Sequence, residues 1–520
     1  MAVSIAEVPA TASAQARLPD QSRGRVVDPL LVGVLASAVS GSFAGRPSLW
    51  FDEGATISAS ASRSLPQLWR LLGHIDAVHG LYYLLMHGWF AVVPPTEFWS
   101  RAPSALAVGA AAAGVVIFAR QFATRTTAVC AGVVFAILPR VTWAGIEARP
   151  YALEAAAAVW LTLLLLAAVR HNRWGLWLLY ALALMLSILL SVNLSLLVPV
   201  YAATLAVLRR GTFVVRRWTV ASAAALGIMT PFMVLAHRQV WQVKWISTLR
   251  RSLFLDVVHR QYFDHSVPFA ILTGVLVVAA IVVRLTRRQV LPADTRRLLA
   301  ICAAWIVIPT GVVLGYSAIG EPMYYPRYLI LTAPAAAVVV AVCIVTIARK
   351  PWPVAAVVVV LAAAAFPNYL FTQRGPYAKE GWDYSQVADV ISAHAQPGDC
   401  LLVDNTVGWL PGPIRALVAT RPAAFAPLAD IERGDRGPEH GHLWDGHVAI
   451  WLVLPRLDKC TTVWAISSRD TTLPDRQSGR SLPPGPLLSR APAYQFAGEL
   501  GFHIVRRWQF HRAQVVELTR

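Results

Sequence analysis

Read for hydrophobic and polar positions, the chain alternates between long apolar runs and short breaks that carry arginine. Eleven runs approach the ~20 residues that cross a bilayer as a helix: 29–44, 99–119, 126–142, 151–169, 174–190, 194–208, 218–236, 267–283, 298–316, 328–347 and 353–370. They are continuous Ala/Leu/Val runs, unlike the short alternating segments of a membrane β-barrel. Between 45 and 98 the pattern changes. Asp52 and Glu53 follow the first run directly, and Ser64 caps a segment whose Leu65, Leu68, Trp69, Leu71 and Leu72 share one broad face. That spacing predicts a helix lying in the membrane interface. Residues 79–92 are apolar but short for a crossing and predict a second interfacial or re-entrant helix.

Every second break is short and basic: Arg120/Arg125, Arg170/Arg173, Arg209/Arg210/Arg216/Arg217, Arg284/Arg287/Arg288 and Arg349/Lys350. The positive-inside rule makes these cytoplasmic. The Asp52-Glu53 loop, the loop at Glu147, the edge at Asn193, the 237–266 loop and the Pro326-Arg327 loop are then external, and the C-terminal tail is external too. Residues 1–27 are polar, lack the core of a cleavable signal peptide, and are expected to be a disordered cytoplasmic tail. Residues 28–371 are expected to form the membrane domain, with its first external loop at 45–98. The expected fold class is a polytopic α-helical membrane protein of about 11 spans plus interfacial helices, carrying a small extracytoplasmic α/β domain at 372–520. In that tail, Gln386–His394 reads as helix. Leu401–Asp404, Val448–Leu454, Thr462–Ile466 and His503–Arg506 read as strands, and 483–492 reads as a Pro-rich loop.

Composition agrees with the membrane reading: 56% of the 520 residues are hydrophobic and 14% charged, against roughly 25% charged in a soluble domain. The net charge of +18 does not point to nucleic acid, because its arginines set topology and form no basic stripe interleaved with aromatics. Almost all basic residues are Arg, which with the abundant Ala and Val suggests a GC-rich bacterial genome such as an actinomycete's. Cys130, Cys302 and Cys343 lie in apolar runs and read as core residues. Cys400 and Cys460 sit in the tail, either joined by a disulfide or as two thiols. The 237–266 loop carries Arg238, Trp241, Lys244, Trp245, Arg250, Arg251, His259 and Arg260. It reads as a headgroup-binding interfacial segment or as a flap over a site.

The polar residues that matter share the external side. Asp52 and Glu53 are joined by His74, Asp76 and His79, by Glu147, Arg149 and Tyr151, by Asn193, and by Glu321, Tyr324, Tyr325, Arg327 and Tyr328. Singly, each has a structural explanation: a snorkelling Arg, an aromatic belt or a helix-end ion pair. Together they suit one reaction. A partly desolvated carboxylate takes a proton from a hydroxyl. Arginines and a histidine hold an anionic leaving group, and an apolar groove between spans holds a lipid tail. That chemistry is displacement at a sugar's anomeric carbon with a lipid phosphate leaving.

Five segments carry a resemblance: Trp50-Phe51-Asp52-Glu53; His79-Gly80-Leu81-Tyr82-Tyr83; Glu147-Ala148-Arg149-Pro150-Tyr151; Pro326-Arg327-Tyr328-Leu329; and Trp382-Asp383-Tyr384 with the Pro-Gly-Asp turn at 397–399. In order and in side, the set over about 29–405 resembles the membrane-embedded GT-C glycosyltransferases. The branch is that of protein O-mannosyltransferases and lipid A aminoarabinose transferases, with their bacterial relatives called mannosyltransferases. Gly80 stands where that family often has Pro. The resemblance implies inverting transfer from a polyprenyl-phosphate sugar, mannose or arabinofuranose, to a glycolipid, polysaccharide or protein acceptor. Asp52 would be the base, supported by Glu53, with His79, Tyr82, Glu147, Arg149, Tyr151, Asn193, Arg327 and Tyr328 binding substrate. Some relatives hold a divalent ion near the acidic pair; here Asp52, Glu53 and His79 would be its ligands. A transporter of lipid-linked sugar and a non-catalytic envelope-assembly protein remain the alternatives.

Overall fold

The computed structural model describes residues 19–246, 252–288, 290–403 and 415–520. Among them, seven helices are long and apolar enough to cross a membrane: Glu97–Arg120, Tyr151–His171, Thr212–Arg238, Val267–Thr286, Ala293–Ile319, Pro326–Ala348 and Pro351–Gln373. Four shorter apolar helices, Val26–Gly41, Arg125–Ile137, Trp174–Leu190 and Val192–Val207, complete the pattern. These eleven fall on the eleven expected runs. Residues 1–18 of the expected tail lie outside the described residues, while 19–27 are helical, because the first helix, α1, runs Pro19–Gly41. The expected run at 126–142 is broken at Leu138, which is extended (φ −63°, ψ 123°). A proline restricts the residue before it to such geometry, and after Pro139 the chain turns into a separate short helix.

Next come α2 (Phe51–Ser60), α3 (Leu65–His74), α4 (Gly80–Phe90), α5 (Glu97–Arg120), α6 (Arg125–Ile137), α7 (Pro139–Ala144) and α8 (Tyr151–His171). Helices form at both stretches expected to be helical between the first two runs, as α3 and α4. The Ser64 N–H donates to Gln67 Oε1 at 2.9 Å, half of a capping box that starts α3. Leu68 and Leu71 are buried while Leu65 and Trp69 face outward. In the membrane core α1 packs on α5, which also packs on α6 and α8. The α1–α5 approach depends on small residues: a Cβ on Gly109 would stand 1.9 Å from Ser37 Oγ and 2.6 Å from the Gly33 carbonyl oxygen. Such stripes let helix backbones meet where burial from water gives no drive. Outward faces keep Leu178, Ile271 and Val307 exposed, as lipid-facing positions require. At the arginine-bearing end, Asp28 of α1 pairs with Arg120 at 2.9 Å and Arg125 at 2.7 Å.

The C-terminal domain is built on a six-stranded sheet in the order β2-β1-β3-β6-β5-β4. Its strands are β1 Cys400–Val403, β2 Ala429–Asp430, β3 Thr462–Ser468, β4 Arg476–Leu482, β5 His503–Gln509 and β6 Ala513–Thr519. β1 is parallel to β2 and β3; β3-β6-β5-β4 is antiparallel. Helix Tyr384–His394 covers one face with Val387, Ala388 and Ile391. The expected strand at Val448–Leu454 is instead a 3-10 turn, Ile450–Leu452, followed by a short helix, Leu454–Leu457, with Pro455 in its first turn. The loop expected at 483–492 holds a short helix at Gly485–Leu488. Cys400 and Cys460 are joined by a disulfide, Cα–Cα 6.0 Å.

Candidate active site

Helix α2 begins at the foot of the first span, and its first turn carries both acids. Consecutive helical side chains diverge by ~100°, so Asp52 and Glu53 cannot face the same way. Glu53 turns inward and is fully buried. Its Oε1 accepts from Arg101 Nε at 2.7 Å and from the Ala148 N–H at 3.0 Å; its Oε2 accepts from Arg101 Nη2 at 2.6 Å. Arg101 is spent on the same corner, donating also to the carbonyls of Ala44 (2.6 Å), Pro47 (2.8 Å) and Ser48 (2.9 Å). Thr56, one turn on, donates to the Ala148 carbonyl at 2.8 Å. These bonds fasten α2 to the 146–149 loop.

Asp52 turns the other way, into a cavity of about 1150 Å³. Its side chain is 16% exposed and lies 3.6 Å from Arg149 Nη2 and 3.3 Å from Arg327 Nη2. Of the polar residues singled out in the sequence, Asp52, Asp76, His79, Arg149, Tyr151, Asn193, Tyr325, Arg327 and Tyr328 line this one cavity. They come from five segments spread over 276 positions of chain, 52 to 328. Arg327 is caged by aromatic rings, with its guanidinium 4.8 Å from Tyr325, 5.6 Å from Trp50 and Trp245, and 5.9 Å from Tyr151 and Tyr328. Arg149 Nη1 donates to Tyr83 Oη at 2.9 Å, and that hydroxyl donates to Asp76 Oδ2 at 2.7 Å. Burial pushes the Asp76 carboxyl above its ordinary range. It pushes His79 well below the ordinary range, helped by the charge on Arg149, so the imidazole is neutral at pH 7. Three nitrogens here, His79 Nδ1, Arg149 Nε and Arg327 Nε, have no hydrogen-bond partner among the described residues. Buried polar nitrogens of this kind are normally satisfied, and an anion entering the cavity could take hydrogen bonds from the two arginines.

Glu53, Glu147 and Tyr82 do not reach the cavity. Glu147 is fully buried behind it, 2.5 Å from Lys379 Nζ and 3.1 Å from Trp50 Nε1. Burial raises its carboxyl to about 7, against the pull of Lys379. Tyr82 is buried with its hydroxyl unpartnered among the described residues; its neighbour Tyr83 is the tyrosine that meets the arginine. Because Glu53 is committed to Arg101, the set Asp52, Glu53 and His79 does not converge, and no group of three or more His, Cys, Asp or Glu side chains suited to a metal occurs among the described residues. These three residues do not fit a divalent ion.

Other contributors were not singled out as site residues. Glu380 lines the cavity 3.9 Å from Arg327 Nη1, in a left-handed conformation (φ 53°) unusual for a side-chain-bearing residue. Gln239, Trp241 and Trp245 bring the start of the 237–266 loop to the wall, and Leu443 and Trp444 bring in the C-terminal domain. Trp444 packs 5.3 Å from Phe51. Its segment is held by Ser58 Oγ on the Leu443 carbonyl (2.5 Å), Arg63 Nη2 on the His442 carbonyl (2.5 Å) and Arg70 Nη1 on the Glu439 carbonyl (2.6 Å). Residues 247–251 of the loop, with Arg250 and Arg251, lie outside the described residues. Lys379 had a faint signal as one of only four lysines, in the segment that follows the last span; Trp444 had none.

No family model matches the chain, and no curated protein matches it. Among solved structures it is similar to ArnT from Cupriavidus metallidurans in the apo state, with a TM-score of 0.55 and 14% identity over 96% of this chain and 98% of that one. It is similar also to ArnT from the same organism bound to undecaprenyl phosphate, with a TM-score of 0.51 and 15% identity over 95% and 98%. The similarity spans both the membrane helices and the C-terminal sheet domain, so this multi-pass membrane protein shares the fold of ArnT.

Proposed function

We propose that the chain is a glycosyltransferase working on the extracytoplasmic side of the cell membrane, moving a sugar from a polyprenyl-phosphate carrier to a cell-envelope glycolipid, polysaccharide or protein. The observation that carries this reading is the pairing of Asp52 with two arginines, Arg149 and Arg327, inside one large cavity. Away from that cradle the cavity wall is apolar, with Leu190, Leu196, Met233 and Val313. An anion cradle beside an apolar groove is the shape a lipid phosphate needs. A solved structure of ArnT, whose fold this chain shares, holds undecaprenyl phosphate.

In the proposed reaction Arg149, Arg327 and neutral His79 take the phosphate, with the charge-assisted bonds of arginine doing most of the holding. Drawing the arginines to the phosphate frees Asp52 from its counter-ions. The acceptor's hydroxyl oxygen then attacks the anomeric carbon from the face opposite the phosphate. The bond from that carbon to the phosphate oxygen breaks, and Asp52 takes the hydroxyl proton. The sugar leaves with inverted configuration, and the lipid phosphate keeps the electron pair, its charge stabilised by the two arginines. Glu53 serves by fixing α2, and Tyr83 with Asp76 holds Arg149. Mannose and arabinofuranose are the proposed donor sugars. The external placement rests on the arginine alternation and on the Cys400–Cys460 disulfide, which belongs to an oxidising compartment.

The test is transfer against transport. The full chain is reconstituted in vesicles with undecaprenyl-phosphate mannose or undecaprenyl-phosphate arabinofuranose labelled in the sugar, together with an envelope glycolipid extract. The reading expects label in a new glycosidic linkage and release of bare undecaprenyl phosphate. Label that crosses the bilayer still on its lipid, with no new linkage, overturns it in favour of a transporter.

A further inference from the structure

One acid in the cavity wall has no part in the chemistry above. Glu154 lies in the first turn of α8, three residues after Tyr151, so the two side chains leave the helix on neighbouring faces. It lines the cavity and is 3% exposed. Ser191 supplies a side-chain hydrogen bond to Glu154, and Glu154 Oε2 has no partner among the described residues. A carboxyl this dry is costly unless its oxygens are satisfied. Acids within membrane helices are rare and mark functional paths.

Its surroundings say what would satisfy it. Ser191 and Asn193 line the same wall, and Asn193 Nδ2 donates to the Tyr328 carbonyl at 3.3 Å, leaving its amide oxygen to accept. Tyr328 stacks on Tyr151 with centroids 6.3 Å apart, and its ring lies 5.9 Å from the Arg327 guanidinium. A polar patch of carboxyl, hydroxyl and amide therefore adjoins the phosphate cradle, at its border with the apolar groove. A sugar esterified to a phosphate lies within two bonds of it, so its ring hydroxyls fall beside the cradle. Water-poor acceptors with unused lone pairs are what a ring of hydroxyls can satisfy.

We infer that Glu154, with Ser191 and Asn193, forms the subsite that reads the hydroxyls of the donor's sugar ring while Arg149 and Arg327 hold its phosphate. This rests on the proposed function. A site that leaves buried polar groups unpaired when a hydroxyl is missing discriminates more sharply than an apolar pocket does, so Glu154 sets donor-sugar preference.

Binding of three lipids to the purified full chain tests this: undecaprenyl phosphate, undecaprenyl-phosphate mannose and undecaprenyl-phosphate arabinofuranose. Wild type is expected to bind at least one sugar-bearing lipid more tightly than the bare phosphate. Glu154→Ala is expected to lose that increment, about tenfold in Kd for a hydrogen bond to a charged or buried partner, and to bind the bare phosphate within twofold of wild type. Glu154→Gln, which keeps one acceptor, is expected to fall between them. An increment unchanged in Glu154→Ala overturns the inference, as does equal weakening of all three lipids, which marks a structural role. Wild type that binds all three equally has no sugar subsite and overturns it too. Failure of wild type to bind even the bare phosphate sinks the proposed function instead.

Discussion

Replacing Glu53 with Ala separates the two neighbouring acids more cleanly than any change at the cavity. In the native fold both carboxylate oxygens of Glu53 are engaged, at 2.6 and 2.7 Å by Arg101 and at 3.0 Å by the Ala148 N–H, with neither side chain of the pair exposed. Arg101 cannot swing to water, because three backbone carbonyls hold its remaining donors. The variant therefore strands a buried guanidinium and an amide, and breaking a buried pair in this way costs about 3–5 kcal/mol. Asp52→Asn removes a longer-range contact, and its partners keep others: Arg149 keeps Tyr83, and Arg327 keeps its aromatic cage and Glu380. Denaturant or thermal unfolding in one detergent, followed by tryptophan fluorescence, compares the variants. Glu53→Ala is expected to lose several kcal/mol and Asp52→Asn clearly less. A Glu53→Ala protein as stable as wild type, or one that loses no more than Asp52→Asn, would refute the division of labour between them.

Gly54→Val tests the seam between the membrane and C-terminal domains, since a Cβ at Gly54 would stand 2.6 Å from Thr420 Oγ1; faster proteolysis of the C-terminal domain is expected, with the membrane helices still folded. Reducing the Cys400–Cys460 bond opens a loop with a sequence separation of 60. It should lower the stability of the C-terminal domain by about 4 kcal/mol on the chain-entropy argument, read as unfolding with and without reductant. His447 is pushed down to about 4, by burial first and then by Arg415, whose Nη2 donates to His447 Nδ1 at 3.2 Å. The unfolded chain takes its proton near 6.5 and the folded one near 4, so the domain loses stability as pH falls through that window. His447→Gln should flatten that part of the stability profile, and an unchanged slope would contradict the assignment.

Much of this architecture was readable from period and charge. The apolar runs are long, and the arginine clusters mark one end of them, so span positions followed from the pattern alone. Residues from the clusters expected outside line one cavity, because the helices and their flanking loops deliver them to the same level. What escaped is what depends on rotation and packing. Adjacency suggested that Asp52 and Glu53 act together, yet a helix turns ~100° per residue and sends one to the cavity and the other to Arg101. Tyr82 and Tyr83 are divided in the same way. In the C-terminal domain β4 was invisible because RQSGRSL is an exposed edge strand with no hydrophobic alternation. Val448–Leu454 misled because an apolar run that ends before Pro455 is equally satisfied by turns that bury Ile450 and Val453 and leave Trp451 and Leu452 outside. Trp444 reaches the cavity from a segment whose Leu443, His442 and Glu439 carbonyls are held by Ser58, Arg63 and Arg70, which no local pattern announces.

The most direct measurement of the central claim is a pair of constants for Asp52→Asn: its Kd for undecaprenyl phosphate and its turnover of the sugar-bearing lipid. Asp52 lies 3.3 and 3.6 Å from the two arginines, so removing its charge leaves them free for the phosphate. The account predicts binding as tight as wild type or tighter, with turnover reduced 10²–10⁴-fold, the range for loss of a general base. Turnover that survives intact in a protein that still binds the lipid would contradict it.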